Sequence, residues 1–102
     1  MTITITNNTE KPRFEAHLDG ELAGFCEYNL LSNAVMYTHT EVLPAFEGKG
    51  VGSALARHVL EDARTQALPV IPACQFIAGY IRKHREYLDV VQPASLRAFH
   101  IN

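Results

Sequence analysis

The sequence predicts an α/β fold of the α+β kind, in which a mixed sheet begins as an antiparallel meander and finishes as helix, strand, helix. Three observations predict it. Residues 2–43 carry four alternating or β-rich stretches separated by turn signals. From Val51 onward the apolar residues fall at helical spacing. A short apolar segment between two prolines then separates that helix from a second one. Strands in series followed by helices bury their apolar faces best as a sheet with helices laid on it.

Each element has its own signal. Residues 2–6 alternate Thr with Ile and read as a strand, and the polar run Asn7-Asn8-Thr9-Glu10 reads as a turn. Phe14, Ala16 and Leu18 alternate with Arg13, Glu15 and His17, which describes a half-buried strand. Asp19-Gly20 is a hairpin signal, because a type I′ turn needs positive φ at both central positions. A third strand follows over about 22–31, broken by Ser32-Asn33, and a fourth runs over about 35–43 until Pro44. Cys26, in mid-strand, reads as core. The first helix places residues 51, 54, 55, 59, 60, 63 and 67 on one stripe and leaves Arg57, Glu61, Arg64 and Gln66 to solvent. Val70-Ile71, between Pro69 and Pro72, reads as a short strand in an irregular or edge position. A second helix is predicted over about 75–84, and residues 93–99 read either as a short terminal helix or as a fraying end.

Composition narrows the function classes. A chain of 102 residues with 47% hydrophobic content predicts one domain over residues 1–102. The formal net charge of −2 and the lack of a basic stripe argue against a nucleic-acid or membrane-surface binder. The most basic stretch, Arg82-Lys83-His84-Arg85, reads as a solvated helix face. No run approaches the roughly 20 apolar residues of a membrane span, and Met1 to Thr6 lacks the charged and apolar regions of a secretory signal. A cytoplasmic protein with reduced Cys26 and Cys74 is expected. Those two cysteines suggest neither a disulfide framework nor a zinc site, and His17, His58, His84 and His100 have no metal-ligand spacing. No metal is expected.

The most informative segment is Glu47-Gly48-Lys49-Gly50-Val51-Gly52-Ser53, between a strand end and an amphipathic helix. A helix start leaves backbone N–H groups unpaired, and no Ser, Thr, Asp or Asn precedes this one to cap it. Two readings are open: the amides of Lys49, Gly50, Val51, Gly52 and Ser53 could hold an anionic phosphate, aided by the helix dipole, or Gly48, Gly50 and Gly52 serve only to shape a tight strand-to-helix connection. The pattern is not a P-loop, which needs a Gly-Lys-Ser/Thr sequence. It is not a dinucleotide-binding turn either, because position 53 is Ser and a meander precedes the helix.

Val42-Leu43-Pro44-Ala45-Phe46, the glycine turn and Ala54-Leu55 together resemble the coenzyme A segment of the GNAT acetyltransferase superfamily. That segment has the pattern Q/R-x-x-G-x-G/A after a strand and a proline turn. Glu47 departs from the usual Gln or Arg. His39-Thr40-Glu41-Val42, Ile71-Pro72-Ala73-Cys74-Gln75-Phe76 and Tyr80-Ile81-Arg82-Lys83-His84-Arg85-Glu86-Tyr87 extend the likeness. With them the sequence resembles the small YjdJ-type branch over roughly residues 10–91.

The resemblance implies an acetyl-coenzyme A-dependent N-acetyltransferase. It implies fourth and fifth strands that splay apart to admit the pantetheine arm, with backbone bonds from Val42 and the diphosphate on residues 49–53. It also carries over Cys74 and His39 as catalytic candidates and Tyr80 as a residue near the coenzyme, able to protonate the leaving thiolate. His39, alternating in phase with Val35 and Tyr37, suits a general base near neutral pH. Cys74, just before a helix, suits a nucleophile that takes the acetyl group first. Direct transfer and an acetyl-cysteine route both remain open. So does a non-catalytic coenzyme A-binding module. The helices that larger relatives use to enclose the acceptor are not expected here, since only about a dozen residues precede the second strand. An amine acceptor at an open site is therefore expected, small molecule or protein, with a protein lysine suiting best. The chain is expected to be a monomer or homodimer.

Overall fold

The computed structural model describes residues 2–101. Strands β1 (Ile3–Asn8), β2 (Arg13–Leu18), β3 (Glu21–Leu30) and β4 (Val35–Val42) precede helix α1 (Val51–Gln66), strand β5 (Val70–Pro72), helix α2 (Gln75–Lys83) and helix α3 (Pro93–Ala98). Short 3-10 segments cover Pro44–Phe46 and Arg85–Val90. The strands lie in the order β1-β2-β3-β4-β5, with the first four antiparallel and β5 parallel to β4. This is the mixed sheet that the sequence predicts.

The alternation in β2 sends Phe14, Ala16 and Leu18 into the core and leaves Arg13, Glu15 and His17 on the opposite face. Asp19 and Gly20 both have positive φ, 50° and 90°, as the hairpin signal requires. Asn7 and Asn8 are not a turn: they extend β1 and pair with Phe14 and Arg13. Their side chains are used locally, Asn7 accepting from the Tyr28 hydroxyl at 2.8 Å and Asn8 donating to Glu15 at 3.1 Å.

On α1, Val51, Leu55, Ala56, Val59, Leu60 and Ala63 are buried against the sheet. Ala67 does not join that stripe. It adopts a left-handed φ of 56° at the helix C-terminus, where its N–H bonds to Ala63 and Arg64 carbonyls, and it is exposed. Tyr37 crosses the sheet–helix interface and donates its hydroxyl to the Val59 carbonyl at 2.6 Å. Ile77, Ala78 and Ile81 of α2 complete the same core. Arg82 is exposed together with Lys83 and Arg85, as a solvated helix face requires, and it has a further use. It donates to the Phe99 and His100 carbonyls at 2.8 and 2.9 Å and ties the C-terminal residues down.

One irregularity changes the reading of β4. Glu27 pairs with His39 while the next residue, Tyr28, pairs with Tyr37, so Thr38 is an extra residue, a β-bulge. Side chains alternate along a strand, and one inserted residue shifts the phase. His39 is therefore not in phase with Val35 and Tyr37. Those two are buried, whereas His39 lies on the opposite, exposed face. Among the described residues no helix is long and apolar enough to cross a membrane.

Candidate functional site

β4 and β5 stay together for three residue pairs, Val35 with Val70, Met36 with Ile71 and Tyr37 with Pro72. One more bond follows, from the Cys74 N–H to the Tyr37 carbonyl at 2.8 Å. Pro72 has no N–H to donate, and the Ala73 N–H turns back to Ile71 at 3.0 Å. The chain then enters α2 with Cys74 as its N-cap residue. From Thr38 to Val42, β4 is paired with β3 alone among the described residues, so the two parallel strands part at the bulge.

The open end of β4 leads to the glycine turn. Gly48 and Gly50 both have φ of 80°, which disfavours a residue with a Cβ, and a Cβ built on either would meet nothing within 4 Å. Gly50 is the N-cap of α1 and offers no side chain to cap it. The first helical bond runs from the Ala54 N–H to the Gly50 carbonyl at 3.0 Å, so the amides of Val51, Gly52 and Ser53 precede it. No acidic residue stands in the first turn to offset the helix dipole.

Val42, Phe46, Glu47, Gly48, Gly50, Val51, Gly52, Ser53 and Phe76 line a groove of about 310 Å³ here. Lys49 is exposed and lies outside that lining. Val51 is 1% exposed, so only its backbone can serve a ligand. A second groove of about 300 Å³ adjoins it, between α2 and the start of α1, lined by Ser53, Gln75, Phe76, Gly79, Tyr80, Lys83 and His84. Tyr80 belongs to this second groove. Its ring stacks on His84 at 3.9 Å, and the His84 Nδ1–H donates to the Tyr80 carbonyl at 2.9 Å. Burial raises the Tyr80 phenol above its ordinary pKa.

The two catalytic candidates fall on different faces of the sheet. Cys74 is 6% exposed and donates its thiol to Thr40 Oγ1 at 3.3 Å. Thr40 is directly opposite Cys26 in the register, so the two cysteines, distant in sequence, converge on one hydroxyl in the core. Burial pushes the Cys26 thiol up to about 12. His39, adjacent to Thr40, points the other way and is hydrogen-bonded to Glu41 at 3.1 Å. A carboxylate can only accept, so the His39 Nε2–H donates and Nδ1 is the free acceptor of the neutral ring. Phe25 lies beside it, with ring centroids 6.1 Å apart, and carries the Arg13 guanidinium on its face at 4.4 Å.

Four residues gain a place that their sequence positions did not suggest. Thr38 makes the bulge, and Thr40 joins the two thiols. Phe76 covers Gly52. Gly24 lets β3 pass under the start of α1, since a Cβ there would stand 2.6 Å from the Glu41 carbonyl oxygen and 3.2 Å from Val51. Only Gly24 left a signal, because a glycine inside a strand marks close backbone approach. Among the described residues no three His, Cys, Asp or Glu side chains gather as a metal site.

Residues 13–90 match a family model described as GCN5-related N-acetyl-transferase. That span runs from β2 through the second 3-10 segment and contains every residue of the two grooves. No curated protein matches the chain.

Proposed function

Because the chain belongs to the GCN5-related N-acetyltransferase family, we propose that it transfers the acetyl group of acetyl-coenzyme A to an amine, with the coenzyme lying from the open edge of β4 to the glycine turn. The observation that carries this reading is the uncapped start of α1 beside the parted strands. Three N–H groups, two glycines at positive φ with open space above them, and an uncompensated helix dipole suit a diphosphate. The backbone of β4 near Val42 suits the amides of a pantetheine arm, which would pair with it as an added strand does.

Acetyl-coenzyme A supplies the activated thioester when bound. The protein's own part is proton transfer and orientation. An acceptor amine must lose a proton to attack, and His39 Nδ1 is the free basic nitrogen next to the bulge. Glu41 holds the ring through Nε2. Gly50 and its neighbours fix the anionic end of the donor, and Val42 fixes the arm. Tyr80 and Lys83 border the second groove, where the far end of so long a ligand would extend. A second reading makes Cys74 a relay that takes the acetyl group before the amine does. Its support is that Cys74 stands where β4 and β5 part. The exposed surroundings of His39 suit a flexible acceptor such as a protein lysine.

Calorimetric titration with acetyl-coenzyme A tests the donor site. Wild type is expected to bind saturably, Gly50→Asn to bind more weakly, and Gly50→Glu not at all. Asn tolerates positive φ, so Gly50→Asn reports on the turn without its collapse. Absence of binding by folded wild type would remove the proposal. Incubation with acetyl-coenzyme A and either a lysine peptide or small amines, read by mass spectrometry, tests the acceptor. Acetylation that survives Cys74→Ala but not His39→Gln favours direct transfer, and the converse favours the relay. Binding with no transfer to any acceptor leaves a coenzyme A-binding module.

A further inference from the structure

We propose that Phe76 is a movable partition across the coenzyme site, a positioning residue whose ring must leave Gly52 before one long ligand can occupy both grooves. The inference rests on the reading above and concerns how that site opens. Gly52 is the one glycine of the turn with no open space over it. A Cβ built there would lie 2.8 Å from Cζ of Phe76, so the ring tip fills the space a side chain at position 52 would take.

Phe76 comes from the first turn of α2, and its neighbours Ile77 and Ala78 are buried while its own side chain is 43% exposed. Its ring is thus not locked in the core beside Ile77 and Ala78, and its tip rests over Gly52. Phe76 and Ser53 border both grooves, of about 310 and 300 Å³, so the ring stands at the boundary between them. A ligand with its anionic part on the amides of Val51 to Ser53 and a further part beside Tyr80 and Lys83 has to cross that boundary. The glycine at position 52 gives the ring a seat to leave and return to. An aromatic side chain hops rotamers far faster than binding, so the partition costs affinity rather than access.

The test uses the full chain and coenzyme A. With labelled phenylalanine, and Phe76→Leu to assign the signal, NMR should show cross-relaxation between the Phe76 ring and the Gly52 α-protons in the free protein. Saturating coenzyme A should abolish it. Phe76→Ala should bind coenzyme A at least as tightly as wild type, because no ring has to be displaced. A contact that persists in the bound state overturns the proposal and leaves the coenzyme reading intact, as does binding weakened tenfold or more in Phe76→Ala. No binding by either protein removes both.

Discussion

Gly24→Ala is the sharpest test of how the fold seats the glycine turn. The new methyl carbon would stand 2.6 Å from the Glu41 carbonyl oxygen, 3.3 Å from the Val42 Cα and 3.2 Å from Val51 Cγ1. Carbon–oxygen contacts in sheets ordinarily lie near 3.3–3.6 Å, so the shortfall is roughly 0.7 Å. The obstructing atoms are backbone atoms of β4, held by the β3 ladder, and cannot swing aside as a side-chain tip can. Overpacking costs about 1–3 kcal/mol and the upper end applies. The stiffer unfolded chain returns about 0.4–1 kcal/mol. A net loss of about 2 kcal/mol follows, which lowers Tm by roughly 8–16 °C in a domain of this size. Urea and thermal unfolding followed by circular dichroism measure it, as the chain has no tryptophan. Gly79→Ala is the contrast. Its Cβ meets only the flexible Arg82 Nη1, at 3.8 Å, in a helix interior. It should stabilise by about 0.5–1 kcal/mol. A Gly24→Ala protein as stable as wild type would refute the close-approach argument.

Other outcomes follow from the same geometry. Tyr37→Phe should cost about 1 kcal/mol in urea unfolding, near the ordinary worth of one hydrogen bond, because the Val59 carbonyl keeps its place in the α1 ladder. Stability should fall in alkali. Burial raises the Cys26 thiol from 9.0 to about 12, and burial followed by the bond to Glu61 raises Tyr87 from 10.0 to about 12. Both groups stay protonated longer in the folded state, so their contribution is whole below pH 9 and is lost between about pH 9 and 12. Cys26→Ala should flatten the first part of that decline, and an unchanged pH–stability curve would contradict it. His39→Gln should lower acetyl transfer by about 10²–10⁴-fold, the usual range for a general base, with coenzyme A affinity in calorimetry unchanged.

Much of the architecture was readable from residue order. The alternation in β2, the Asp19-Gly20 hairpin and the α1 stripe depend on contacts within one element or one turn, and such contacts leave a periodic trace. So did the glycine turn, because positive φ and an uncapped helix start are local backbone properties of Gly48 and Gly50. Local polarity misled at Asn7 and Asn8, where the backbone ladder with β2 outweighs turn propensity. It misled again at Ala67, an apolar residue used to end a helix rather than to fill the core.

The arrangement of the site required the folded chain. Thr38 has ordinary β-forming chemistry, and nothing in it announces a bulge; the register with β3 makes one and turns His39 to the face away from Cys74. Cys26, Thr40 and Cys74 meet only because β3 and the start of α2 flank β4. Phe76 reaches Gly52 because α2 packs against α1. Periodicity and backbone conformation are properties of neighbours along the chain, so residue order carries them. Which faces meet across the sheet, and which side chain fills a glycine's empty space, depends on packing between distant segments, and that exists only once the core has closed.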